Sequence, residues 1–262
     1  MPELTAEAKR VLSGKAGIVT GIANEHSIAY GCAKAFRAIG AELGITYLNE
    51  KARPFVEPLA QQLGASLFLP LDVSDDAQMA ALFDQAAQRW GKLDFLLHSI
   101  AYAPKEDLQG RLTDCSRNGF SVAMDVSCHS FIRMARLAEP LMTEGGTLIT
   151  MTYIGAERVI PNYNVMGPVK AAMEAAVRYL AYELGPKGIR VNAVSPGPLK
   201  TRAASGLKGF DQLLAVAAER APAHELVDID DVGMTTAYLA TDFARLITGD
   251  TIYIDGGYHV MG

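Results

Sequence analysis

The feature that most constrains this chain is an alternation. Apolar runs of four to seven residues recur between longer stretches whose apolar positions follow helical spacing. Residues 16–20, 42–47, 66–71, 93–99, 147–152, 190–194 and 251–254 read as strands. Residues 27–39, 53–63, 76–90, 117–142 and 163–184 read as helices. Successive strand–helix units favour right-handed parallel crossovers, because a twisted strand feeding a right-handed helix returns to the sheet in that hand. The expectation is a Rossmann-like α/β fold, a doubly wound parallel sheet flanked by helices. Composition agrees: half the residues are hydrophobic and 24 are glycine, as suits strands hidden on both faces. With no low-complexity linker and no repeat at solenoid spacing, residues 1–262 are expected to form a single domain. Residues 198–221 interrupt the last units and are expected to be an insertion placed to cover a site.

Charge and cysteine usage narrow the function classes. A net charge of −5 without a clustered basic stretch gives no case for nucleic acid. No apolar run approaches the ~18 residues of a membrane helix. The opening MPELTAEAKRVLSGK carries charges and no apolar centre, unlike a secretory signal. Cys32, Cys115 and Cys128 are odd in number and lack metal-ligand spacing, so unpaired thiols in a reducing cytoplasm are expected. No two of His26, His98, His129, His224 and His259 have the spacing of zinc ligands on a helix, and no metal is expected.

Ligands of open parallel sheets bind beyond the carboxyl ends of the strands. Gly21 opens the turn after the first strand, in TGIANEHSIAYG, and allows close backbone approach. Ser27 stands at the start of the next helix, placed either to cap it or to bond a phosphate oxygen. The spacing is not G-x-G-x-x-G, so an ordinary ligand-free turn fits this segment equally well. Asp72 and Val73 follow the third strand, Ser99, Ile100 and Ala101 the fourth, and Ser195 to Pro198 the sixth. If the strands are as read, these loops and Gly21 face one crevice. Asp72 is placed to accept from an adenine amino group or to cap the following helix.

Tyr163 and Lys170 are seven positions apart, which on a helix sets them on one face, about 10.5 Å apart along the axis. A cation near a tyrosine lowers its pKa and steadies negative charge on a bound oxygen. The same spacing also describes a half-buried ring and a solvated amine, and their surroundings separate the two readings. Six residues, NVMGPV, lie between Tyr163 and Lys170, glycine occupies position 167, and Tyr153 precedes Tyr163 by ten positions. With TGIANEHSIAYG, HSIAYAP, SPGPLKTRAASGLKGF and IDGGYHVMG, this pattern resembles the bacterial enoyl-acyl carrier protein reductases. They are a divergent branch of the short-chain dehydrogenase/reductases, whose ordinary ketoreductases use Tyr-x-x-x-Lys instead.

The resemblance covers nearly the whole chain. It implies reduction of trans-2-enoyl acyl carrier protein thioesters with a nicotinamide cofactor, in fatty-acid elongation, by a homotetramer. It implies catalytic roles for Tyr153, Tyr163 and Lys170. Cofactor contacts are implied at Gly21, Ser27, Ile28, Asp72, Val73, Ser99, Ile100, Lys170, Leu199 and Thr201. Substrate contacts are implied at Ala101, Tyr153, Tyr163 and Ala203.

Three departures stand out. Leu48 replaces a glutamine common in relatives, and Ala101 a glycine, whose extra methyl is expected to narrow the space beside the nicotinamide. Lys200 and Arg202 alter the charge of the substrate loop and, with Lys208, offer a cationic approach for the acidic carrier protein. Glu50 favours a free ribose hydroxyl and hence NADH, while Lys51 and Arg53 leave NADPH open. Two other readings are a ketoreductase on the same fold and a regulator on a retired reductase scaffold.

Overall fold

The computed structural model describes residues 4–199, 201 and 210–261. Its sheet contains β1 (Ala16–Thr20), β2 (Glu42–Tyr47), β3 (Leu67–Pro70), β4 (Phe95–His98), β5 (Gly146–Met151), β6 (Ile189–Pro196) and β7 (Thr251–Ile254). The order is β3-β2-β1-β4-β5-β6-β7, and every neighbouring pair is parallel. The winding direction reverses between β1 and β4, which makes the carboxyl ends of those strands the topological switch point. The helices are α1 (Ile28–Ala38), α2 (Arg53–Gln62), α3 (Asp76–Trp90), α4 (Lys105–Leu108), α5 (Arg117–Met124), α6 (Ser130–Ala138), α7 (Met166–Leu184), α8 (Phe210–Arg220) and α9 (Ile229–Leu239).

The strand residues serve two cores in alternation. Val19, Phe95, Leu97, Ile149 and Val194 join the apolar cluster that includes Phe36 of α1 and Val232 of α9. Ile18, Leu96, Leu148, Val191 and Ala193 join the opposite cluster, with Leu82 of α3 and Val177 of α7. Side chains along a strand point to opposite faces with period two, so both faces must be apolar when helices cover both. Each Val, Leu, Ile or Phe among them contributes about 1.5–3 kcal/mol by leaving water. That burial fixes the register and therefore the relative heights of the loops at the carboxyl ends.

Several expectations change in detail. The stretch 117–142 is not one helix. A π-helical turn, Asp125–His129, separates α5 from α6, and the short 3-10 turn Glu139–Leu141 ends the run. Tertiary bonds accompany the break: the Ser127 hydroxyl accepts from the Tyr102 N–H and donates to the Tyr102 carbonyl. Residues 163–165 also lie outside the helix, which starts at Met166. The turn before it places Asn162 and Asn164 at positive φ, 66° and 41°, and the Asn164 amide donates to the Leu108 carbonyl. Tyr163 and Lys170 are therefore not two residues of one helix. Finally, α9 was not anticipated, although Asp228 and Asp231 form a capping box at its start.

Candidate active site

Gly21 is dictated by the switch point. Its φ is +95°, and a Cβ there would stand 2.0 Å from the Ser99 carbonyl oxygen. Only a residue without a side chain lets the loops after β1 and β4 meet this closely. Ser27 is the residue before α1, yet its hydroxyl does not cap the helix. It accepts instead from the Ala23 and Asn24 N–H groups, which curls the loop in front of the helix. Asp72 does not cap α3 either. Asp75 does, accepting from Ala77 and Gln78, while an Asp72 carboxylate oxygen accepts from Ser74. The loop that carries Asp72 and Val73 is gripped from the side by Arg133 of α6. The Arg133 guanidinium donates to the Val73 carbonyl at 2.8 Å and to Asp76 at 2.7 Å.

A cavity of about 310 Å3 opens at the carboxyl ends of β4, β5 and β6. Of the expected residues, Ile28, Ala101, Tyr153, Tyr163, Leu199 and Thr201 line it. Gly21 and Ser99 meet at the switch point alongside, and Asp72 and Val73 sit two strands further out, beyond β3. Ala203, Lys200, Arg202 and Lys208 lie outside the described residues. The cavity wall also contains Thr152, Tyr102 and Met166, which sequence reasoning missed.

Tyr153 and Tyr163 pack edge to face with ring centroids 5.1 Å apart. Gly155 makes room for this pair: a Cβ there would lie 2.5 Å from the Tyr163 ring. The Tyr153 hydroxyl is buried without a hydrogen-bond partner, and so is the Ser195 hydroxyl at the end of β6. Buried polar atoms are rarely left unpaired in folded proteins. Two such atoms beside a glycine-lined crevice fit a ligand that carries its own polar groups, as a nicotinamide dinucleotide does.

Lys170 is buried, and its ammonium donates to the Met151 carbonyl at 2.6 Å. Burial pushes its pKa down to about 8, against the pull of Cys128 and Glu174. The sequence suggested that Lys170 would lower the pKa of Tyr163. The structure gives the opposite direction: burial, then Tyr153 and Glu174, push the Tyr163 phenol up. Tyr163 thus keeps its proton through the physiological range and is a donor. Under this wall, His98 links Thr150 to Ser130, and burial followed by Lys170 holds the imidazole neutral, down to about 3.

A switch-point crevice, a tyrosine that stays protonated and a buried lysine at its back define a dinucleotide-dependent reductase of the short-chain type. The comparisons narrow that class. Residues 21–259 match the sequence profile of the enoyl-(acyl carrier protein) reductases. The chain is 46% identical to enoyl-(acyl-carrier-protein) reductase (NADH) 1 of Rhizobium meliloti, over 98% of this chain and 94% of that protein. It is 49% identical to the corresponding NADH enzyme of Synechocystis, over 96% of this chain and 98% of that protein. Among solved structures, the Anaplasma phagocytophilum reductase in complex with NAD superposes with a TM-score of 0.93 at 46% identity, covering 97% of each chain. The Bacillus cereus reductase with NADP+ and an indole naphthyridinone superposes at 0.95 and 44% identity, covering 97% of this chain and 99% of that one. This chain belongs to the enoyl-(acyl carrier protein) reductase family.

Proposed function

We propose that this protein reduces the carbon–carbon double bond of trans-2-enoyl thioesters carried on acyl carrier protein, in the elongation cycle of fatty-acid synthesis. One observation carries the reading. Tyr163 and Tyr153 face a single cavity, while buried Lys170 is fastened to the residue just before the cavity-lining Thr152. NADH, when bound, supplies the hydride. Gly21, Ser27, Ile28, Asp72, Val73, Ser99, Ile100, Leu199 and Thr201 would hold it along the carboxyl ends of the strands, with Lys170 at the nicotinamide ribose. The relatives from Rhizobium meliloti and Synechocystis are NADH enzymes, which supports NADH over NADPH.

Tyr163 holds its phenolic proton and donates it as a hydrogen bond to the thioester oxygen, where negative charge gathers when the β-carbon is reduced. A preorganised donor aimed at a developing oxyanion is worth about 2.7–4 kcal/mol, or on the order of 10²–10³ in turnover. Lys170 keeps the local potential positive below pH 8 and orients the ribose. Tyr153 and Ala101 border the acyl space. The six-residue gap between Tyr163 and Lys170 favours enoyl reduction over the ketoreductase reading, and the intact pair opposes the retired-scaffold reading.

The protein works as one dinucleotide-binding domain, assembled as a homotetramer in the reducing cytoplasm. Its free cysteines, Cys32, Cys115 and Cys128, support that setting. No described helix is long and apolar enough to cross a membrane.

The test is NADH oxidation with crotonyl and longer enoyl thioesters, set against β-ketoacyl thioesters. Tyr163→Phe should lower turnover on the order of 10²-fold with cofactor affinity kept. Lys170→Ala should weaken NADH binding as well. Preference for the β-ketoacyl substrate, or full NADH affinity in the lysine variant, would overturn the assignment.

A further inference from the structure

Helix α7 sends two buried charged side chains to consecutive residues at the end of β5. Lys170 donates to the Met151 carbonyl at 2.6 Å, and one turn later Glu174 accepts from the Thr152 hydroxyl, also at 2.6 Å. Each residue is only 5% exposed. Residues four apart share one helix face, so the two side chains form adjacent rungs between α7 and the strand. Thr152 is itself part of the cavity wall, its N–H is bonded to Val194 of β6 at 2.8 Å, and Tyr153 follows it directly. A carboxylate is costly to bury unless its lone pairs and charge are answered. Nothing in the chemistry above gives this one a task.

We propose that Glu174 is a positioning residue for the reduction: its carboxylate pins Thr152 and, one turn along the same buried face of α7, adds negative charge to the surroundings of Lys170, so that the ammonium and the two tyrosines keep their places together. The inference rests on the assignment of Lys170 and Tyr163 made above.

The surroundings agree. Lys170 is faced by Glu174 on its own helix, by Cys128 from the π-helical turn and by His98 from β4. Glu174 is faced by Lys170 and Arg178 on α7, by Glu157 from the turn after β5, and by Tyr163 and Tyr253. Burial raises the Glu174 pKa, while the Thr152 hydroxyl, Arg178 and Lys170 draw it back. Glu174 in turn raises that of Lys170. Removing the carboxylate must therefore let Lys170 lose its proton at lower pH.

The experiment is NADH binding to the full-length protein, followed by cofactor fluorescence from roughly pH 6.5 to 9.5, with melting temperatures in parallel. In the wild type, affinity should fall as pH rises through about 8, where Lys170 gives up its charge. Glu174→Gln keeps an acceptor for Thr152 but removes the charge, and should move that alkaline limb down by roughly half a pH unit or more. Thr152→Val breaks the bond and should raise KM for an enoyl thioester several-fold. A Glu174→Gln curve that superimposes on the wild type, or a Thr152→Val enzyme with unchanged KM, would overturn the proposal. If Glu174→Gln fails to fold, Glu174→Asp, which withdraws the carboxylate from Thr152, takes its place, and an unchanged KM refutes the pinning role. A wild type that binds NADH yet reduces no enoyl thioester refutes the functional assignment instead, and the binding curves still judge Glu174.

Discussion

A methyl group at position 155 would stand 2.5 Å from the Tyr163 ring, closer than any carbon contact allows. The ring, being the movable partner, would have to swing away from its edge-to-face contact with Tyr153. Displacing a reacting group by about 1 Å can cost on the order of 10²-fold, because the geometry of attack is lost before the fold is. Gly155→Ala should therefore cut turnover at least about tenfold while NADH affinity and melting temperature stay near wild type. Steady-state kinetics beside a binding titration reads this; a variant with full turnover would mean that Tyr163 has slack to absorb the methyl. The place of Tyr163 in the cavity wall was legible in the sequence through its spacing to Lys170, Tyr153 and the flanking loops. Its support was not, because Gly155, Thr152 and Glu174 act through contacts that the chain makes only when folded. Glu174 alone left a trace, as a carboxylate one turn beyond Lys170 on the inward face of an apolar helix.

At the scale of elements, periodicity located the sheet well. The bounds read for β1, β2, β7 and α3 match the structure, since a buried strand or an amphipathic helix advertises itself in its apolar spacing. It failed where tertiary contacts override local preference. The π-helical turn between α5 and α6 is tied to Tyr102 by Ser127, and the turn that carries Tyr163 uses positive φ at two asparagines. Both departures occur beside the cavity, where irregular backbone serves to aim side chains. Helix α6 has a further task that follows from the same geometry. Arg133 ties it to the Val73 carbonyl and to Asp76, holding the loop after β3 against the helix. If that loop receives adenine, Arg133→Ala should raise KM for NADH several-fold with little change in kcat at saturating cofactor. An unchanged KM, or a loss confined to kcat, would detach Arg133 from the cofactor.

At the scale of the whole molecule, α7 has two working faces. The inner one carries Lys170 and Glu174 beneath the cavity. The outer one presents Tyr179 and Tyr182, 72% and 83% exposed. Aromatic side chains standing this far into water are the kind that anchor interfaces, where each offers a large apolar area with one polar end. In the proposed homotetramer, α7 would then be braced from outside by another copy while it positions the lysine inside. A carboxylate buried in such an interface would have to leave water, which costs several kcal/mol unless the charge is answered. Tyr182→Glu should therefore shift the assembly toward smaller species by at least tenfold in dissociation constant. Sedimentation velocity over a range of concentrations measures it. Because Tyr182 does not touch the cavity, the variant separates assembly from chemistry. If bracing matters to Lys170, the smaller species will bind NADH more weakly than the tetramer; a wild type that sediments as a single copy, or a Tyr182→Glu variant that remains tetrameric, would take α7 out of the interface.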